Sequence, residues 1–169
     1  MDLTRHSALI HATLDLVGGV DHARGLVQKL LERGDITAIS SVYKRYLTRE
    51  RVDMSARLEF VIRFATLMSV DQSLHMVLSL CENGSPGLSQ KNHSELTLLT
   101  FDDIVLMSPR LTLPYPRLHQ DPLIIRCSAE AWGQYEHPIY QKNLSEISRT
   151  APPAKEAEFY MQGKSLVDF

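Results

Sequence analysis

The sequence is poor in cysteine. It has two cysteines, Cys81 and Cys127, far apart and with no C-x-x-C pair. That spacing gives no zinc site and no basis for a disulfide, so both read as buried thiols. The seven histidines share no H-x-x-x-H spacing and read as scattered surface or structural residues. Charge of one sign is also lacking: 18 basic against 20 acidic side chains give a net charge of -2 without long runs. Such a balance offers no electrostatic footprint for nucleic acid or an anionic membrane, and neither partner is expected. No stretch of about 18 apolar residues occurs, and MDLTRHSALIHATLDLV lacks the apolar centre and cleavage site of a signal peptide. The chain therefore reads as cytoplasmic. No internal repeat is visible.

What remains, 169 residues with 44% hydrophobic and 22% charged side chains, suits one globular domain with a real core. Residues 7–16 read as a first strand, and GlyGly at 18 and 19 breaks the chain. From Asp21, residues Ala23, Leu26, Val27, Leu30 and Leu31 follow helical spacing, with Gly34 placed as a C-terminal glycine. Residues 36–46 (ITAISSVYKRY) read as one half-buried strand, followed by a polar loop over 47–56. Leu58, Phe60, Ile62 and Phe64 alternate with Glu59, Val61, Arg63 and Ala65, which is strand periodicity. Ser69 and Gln72 form a capping box before a helix whose Leu74, Val77, Leu78 and Cys81 share a face, ending near Glu82.

After a glycine- and proline-bearing loop over 83–94, residues 96–107 read as the next strand, 123–134 as a helix after Asp121-Pro122, and 144–147 as a short one. The tail from Ser148, with ProPro at 152 and 153, reads as irregular, so the domain is placed at 1–147 and the tail at 148–169. The order strand, helix, strand, strand, helix, strand predicts an α+β, ferredoxin-like (βαββαβ) fold, its helices packed on a mainly antiparallel sheet.

Several segments, taken in order, resemble hydroxymethyl-dihydropterin pyrophosphokinase of folate biosynthesis. Residues 39–43, within AISSVY, are similar to the family's second strand. DIVLM (103–107) followed by RLTLPYPRLH (110–119) looks like its metal-binding strand and Leu-Pro-His-Pro-Arg segment. AEAW (129–132), HisPro at 137 and 138 and LSEI (144–147) match its C-terminal helix, turn and closing segment, and residues 66–81 align with its second helix. The resemblance covers about residues 7–147. It implies pyrophosphoryl transfer from ATP to a pterin hydroxymethyl group with two magnesium ions, chemistry that needs paired carboxylates, phosphate-neutralising cations and exact placement of the hydroxyl.

The same resemblance exposes departures. The family's two aspartates stand two apart on a strand, so both reach one face. Here the later position is Asp103, the earlier is Phe101, and Asp102 is adjacent, so that only a β-bulge brings both carboxylates round. Leu98 replaces an arginine, the preceding loop carries one cation, Lys91, Tyr115 replaces a histidine, and Asp121 replaces another arginine. Arg110, Thr112 and Arg117 survive as expected nucleotide contacts, Asp103 and Asp102 as expected metal ligands, and Leu123 as an expected substrate contact.

On the pterin side, His11, Ala12 and Thr13 stand for Gly-Ser-Asn, Arg45 and Tyr46 for Thr-Pro, Glu59 for an asparagine and Cys81 for a glutamate. An ionised Glu59 offers acceptors only, where an amide offers donor and acceptor together. Trp132 reads as a core or hinge aromatic. Three functional readings follow. The first is a degenerate homologue kept for binding or regulation, and the second is a working divergent enzyme using Mg and ATP. The third is a protein-interaction module that uses the old cleft or a sheet edge. A nucleotide, a pterin-like small molecule or a protein is the corresponding partner.

Overall fold

Alternation of side chains over Ala56–Thr66 builds the central strand of the molecule. A computed structural model describes residues 4–81 and 93–167. Its elements are β1 (His6–Asp15), α1 (Gly19–Leu31), β2 (Asp35–Ile39), β3 (Val42–Tyr46), β4 (Ala56–Thr66), α2 (Val70–Leu80), β5 (Ser94–Phe101), β6 (Leu106–Met107), β7 (Thr112–Leu113), α3 (Pro122–Trp132), α4 (Leu144–Thr150) and β8 (Ala157–Met161). The main sheet runs β5-β1-β4-β3-β8, with β2 also paired to β4, and the pairings are antiparallel. With β2 and β3 counted as one interrupted strand, this is the expected α+β, ferredoxin-like order.

Each face of the sheet carries its own core. Ile10, Leu14, Phe60, Ile62, Phe64 and Leu98 pack under α1 and α2, whereas Leu9, Val61, Leu99, Leu123, Ile124 and Cys127 pack under α3 and α4. Arg63 lays its guanidinium over the Trp132 ring at 3.9 Å, tying α3 to β4. The Ser69 capping box is present, with Ser69 Oγ accepting from Gln72 N and Gln72 Oε1 accepting from Ser69 N. Asp121 caps α3 ahead of Pro122.

The single strand expected over 36–46 is two strands. Ile39 pairs with Ile62 and Tyr43 with Glu59, so Ser40 and Ser41 together oppose Val61. Ser40 N donates to Val61 O at 2.9 Å, and Ser40 Oγ accepts from Val61 N at 2.9 Å, the side chain standing in for a missing carbonyl. This β-bulge reverses parity, so Val42 stays in the α1/α2 core while Tyr43 and Arg45 turn to the α3 face.

Other expectations shift similarly. The strand expected over 96–107 stops at Phe101, because Asp102 takes a left-handed backbone (φ 48). Helix α2 ends at Leu80, close to the expected end, but Leu78 is exposed rather than on the buried face, where Ser73 and Met76 sit instead. Glu82, the 83–92 part of the polar loop and its Lys91 lie outside the described residues. Gly34 lacks a positive φ; a Cβ there would lie 2.5 Å from Phe64 Cζ, so the residue is needed for close packing and not for a left-handed cap.

The tail is not irregular. β8 extends the sheet beside β3, and Leu166 is fully buried against the α1/α2 core. Gly163 makes this docking fit, since a Cβ would stand 1.9 Å from Ser40 O. Gly163→Ala should therefore cost about 1–3 kcal/mol through overpacking and loosen the segment from 155 onward. Limited trypsin digestion should cut at Lys155 and Lys164 faster in the variant. An unchanged melting temperature and unchanged cleavage rates would refute this account of the tail.

Candidate functional site

The α3 face of the sheet is only half covered. Leu9, Val61 and Leu99 lie under α3, but further along the same strands the residues facing that side are His11, Thr13, Arg57, Glu59, Glu95 and Thr97. With Arg45, Leu47, Tyr115 and Arg117 they line a cleft of about 170 Å³. The polar floor follows from strand parity: odd-numbered positions of β1, β4 and β5 point here.

A chain of ion pairs runs across the cleft. His11 Nε2 lies 2.8 Å from Glu59 Oε1, and Arg45 Nε lies 2.5 Å from Glu59 Oε2. Arg45 grips Asp121 with both terminal nitrogens, at 2.9 and 2.8 Å, and Arg117 donates to Asp121 Oδ2 at 2.6 Å. Asp121 Oδ1 also accepts from Leu123 N and Ile124 N at the start of α3. Glu59, His11 and Asp121 are 4%, 6% and 9% exposed, so the two carboxylates keep their charges only because they are paired. Burial alone would raise the Glu59 carboxyl, but the bond from His11 and the Arg45 charge hold it below its ordinary value. Burial opposes ionisation of Asp121 as well, and its bonds from Arg45 and Arg117 bring it down to about 2.

These four buried or half-buried members, His11, Arg45, Glu59 and Asp121, are positions where the sequence departs from the pyrophosphokinase pattern. The departures are one connected structure. Where the resemblance expects an arginine at 121 and none at 45, this chain has Asp121 and Arg45, and these two side chains make a bidentate pair.

The metal-side residues are dispersed. In β5, Leu99 and Thr100 together oppose Leu9, a second bulge. It sends Phe101 into the core with α1 and α2, on the face opposite the cleft. Asp102 sits at the far end of β1, its carboxylate 2.6 Å from His6 Nδ1 and accepting from Ser7 N at 2.9 Å. Its carbonyl accepts from Tyr135 OH at 2.6 Å, and burial, before anything else, pushes that phenol up to about 12. Asp103 is exposed. The bulge that could have gathered two carboxylates thus exists but lies before them and does not do so. Among the described residues no cluster of three His, Cys, Asp or Glu side chains is placed to hold a metal.

Arg110 is exposed beyond β6, Thr112 is half-buried on β7, and of the expected nucleotide contacts only Arg117 lines the cleft. Leu123, 2% exposed, belongs to the apolar cluster under α3 and not to the cleft lining. Cys81 is half-buried, its sulfur near Val77 O and Leu96 N, while Cys127 is buried.

His137 falls in the expected HisPro turn, but its burial and its acceptor role were not foreseen. It is fully buried, and its Nδ1 accepts from Ile139 N and Tyr140 N at 3.2 and 3.3 Å, closing the HisPro turn. Burial, then the neighbouring His119, pushes it down to about 4. Two backbone donors on Nδ1 fix the tautomer with the proton on Nε2.

Solved structures of Plasmodium falciparum HPPK-DHPS share this fold. The wild-type enzyme with pterin and p-hydroxybenzoate matches with 9% identity over 86% of this chain and 42% of its own, at a TM-score of 0.63. The wild type with pteroate gives 10%, 88%, 43% and 0.62, and a triple mutant with SDX-DHP gives 9%, 88%, 42% and 0.66. The chain spans less than half the length of these solved chains. At such identity the likeness establishes an HPPK-like, pterin pyrophosphokinase-like fold. No protein-family model and no curated protein sequence matches the chain.

Proposed function

We propose that this chain is a divergent pterin pyrophosphokinase-like protein that has given up pyrophosphoryl transfer and uses the remodelled cleft to bind a ligand, in a binding or regulatory role. The observation that carries the reading is the His11–Glu59–Arg45–Asp121–Arg117 network. It occupies the cleft with paired charges at the positions that the family uses for pterin and phosphate. A guanidinium already held by two carboxylates has little left for a transferring phosphate, and a carboxylate held by His11 and Arg45 cannot read a pterin edge.

The residues present do not fit a two-magnesium site. Phe101 faces the other side of the sheet, Asp102 is spent on His6 and Ser7, and Asp103 stands alone. One hard ligand is too few to hold two ions against water. The geometry therefore supports no metal-assisted step.

A second reading, in which nucleotide binding persists without transfer, rests on Asp103, Arg110 and Thr112, whose side chains make no hydrogen bond among the described residues. The two readings share a prediction. Incubated with magnesium, ATP and hydroxymethyl-dihydropterin, the protein should release no AMP above the enzyme-free background in a coupled or chromatographic assay. AMP formation at a rate ordinary for an enzyme, of order 1 per second or more, would refute the loss of transfer. Calorimetry with ATP, repeated on Arg110→Ala, separates the second reading from the first.

A further inference from the structure

The ion-pair chain leaves two charged side chains of the cleft unused. Arg57 of β4 and Glu95 of β5 line the same cavity, and among the described residues neither has an ion pair or a side-chain hydrogen bond. They stand on opposite sides of β1. Glu95 is the cross-strand partner of Thr13, Thr13 is the partner of Glu59, and Arg57 lies two residues before Glu59 on the same face. Between them is Thr13, 8% exposed, whose hydroxyl has no hydrogen-bond partner among the described residues although it borders the cavity. That hydroxyl opens onto the cleft and is available to donate to a ligand there.

Charge decides what that ligand is. Of the arginine and glutamate side chains that line the cleft, Arg45, Glu59 and Arg117 are already paired, which leaves among the described residues one unpaired cation, Arg57, and one unpaired anion, Glu95. A plain anion is answered by Arg57 alone, and a plain cation by Glu95 alone. A molecule carrying both charges meets a complementary pair. Two strand spacings of about 4.8 Å separate β5 from β4, so the ligand's charges must be several bonds apart, farther than in an α-amino acid.

We propose that the cleft binds a small zwitterion of the ω-amino acid class, with its carboxylate on Arg57, its ammonium on Glu95 and the Thr13 hydroxyl donating to the carboxylate. This rests on the reading of the cleft as a binding site, and it names the class of ligand. Arg45, Glu59 and Asp121 form the rigid wall against which the ligand lies and keep their own pairing throughout.

The test is titration calorimetry on the full chain with 5-aminopentanoate and 6-aminohexanoate as probes, and hexanoate and hexylamine as single-charge controls. Saturable binding of at least one dipolar probe is expected, with both controls weaker by about tenfold or more. Arg57→Gln and Glu95→Gln should each weaken the dipolar probe by a similar factor, while their near-ultraviolet circular dichroism stays that of the parent because neither residue is part of the ion-pair chain. Three results would overturn the proposal: no saturable binding of either dipolar probe, hexanoate binding as tightly as 6-aminohexanoate, or indifference to Glu95→Gln. Inorganic phosphate binding that depends on Arg57 but not on Glu95 would make this an anion site instead. AMP formation is read separately, so the failure of the zwitterion and the failure of the non-catalytic reading are distinguishable.

Discussion

Arg45→Met should lower the unfolding free energy by about 3–5 kcal/mol, the range for removing one partner of a buried ion pair. Arg45 is the only guanidinium on Glu59 among the described residues, and it is shared with Asp121. Its loss strands Glu59, which keeps only His11, whereas Asp121 keeps Arg117 and the α3 backbone donors. The damage should therefore concentrate at Glu59. Two measurements check this by urea denaturation. Adding Glu59→Gln to Arg45→Met should recover part of the loss, because the stranded charge is gone. The gap between Arg45→Met and the parent should also narrow in acid, where an unpaired Glu59 protonates at a higher pH than the paired one. A loss below about 1 kcal/mol, the value typical of a surface pair, would mean that the network is not the buried scaffold described here.

The network also separates what the sequence discloses from what it withholds. β1, α1, β4, the Ser69 capping box and the Asp121-Pro122 start of α3 are set by neighbours a few residues apart, and local periodicity reveals them. The order of those elements then leads to the ferredoxin-like sheet. Arg45 and Phe101 are different. Each sits just beyond a bulge, and a bulge inverts every inside-outside assignment after it. The Ser40-Ser41 pair, polar within an apolar run, is the single visible hint of the first bulge, and nothing in ELTLLTF signals the second. β8 escapes detection because an edge strand after ProPro takes its order from β3, more than a hundred residues earlier.

The candidate site was legible as a set of departures, but not as a design. His11, Arg45, Glu59 and Asp121 each look like a separate loss when matched to the pyrophosphokinase pattern. Only their distances, across sequence separations from 14 to 76, show that the replacements complement one another. Arg45 and Asp121 are complementary in charge and geometry, so the four positions act as one wall of the cleft and not as four independent differences. The Asp102–His6 pair makes the same point at the other end of β1: the Asp102 carboxylate is held by His6 and Ser7, far from the cleft.

The second large effect is on acid stability. A buried His137 held at about 4 takes up its proton at a lower pH in the folded chain than in the unfolded one, where a histidine titrates near 6.5. Between those values the unfolded state binds more protons, so stability is complete above about pH 6.5 and falls as the pH drops toward 4, by up to about 3 kcal/mol for this one group. Protonating Nδ1 would remove the acceptor used by Ile139 N and Tyr140 N and would place a cation beside His119, which burial also holds below its ordinary value. Asp121 and Glu59 cannot produce this loss, because their lowered carboxyls withdraw stability only as the pH falls below the ordinary carboxylate range. The discriminating variant is His137→Asn. Its side-chain oxygen can still accept from the same backbone donors, as asparagine does in turns, but it does not titrate. Urea midpoints measured from pH 7 to pH 4 should fall steeply for the parent and much less for His137→Asn, while His137→Ala should be weakened at every pH. Parallel pH profiles for parent and His137→Asn would remove His137 as the acid-labile point of the fold.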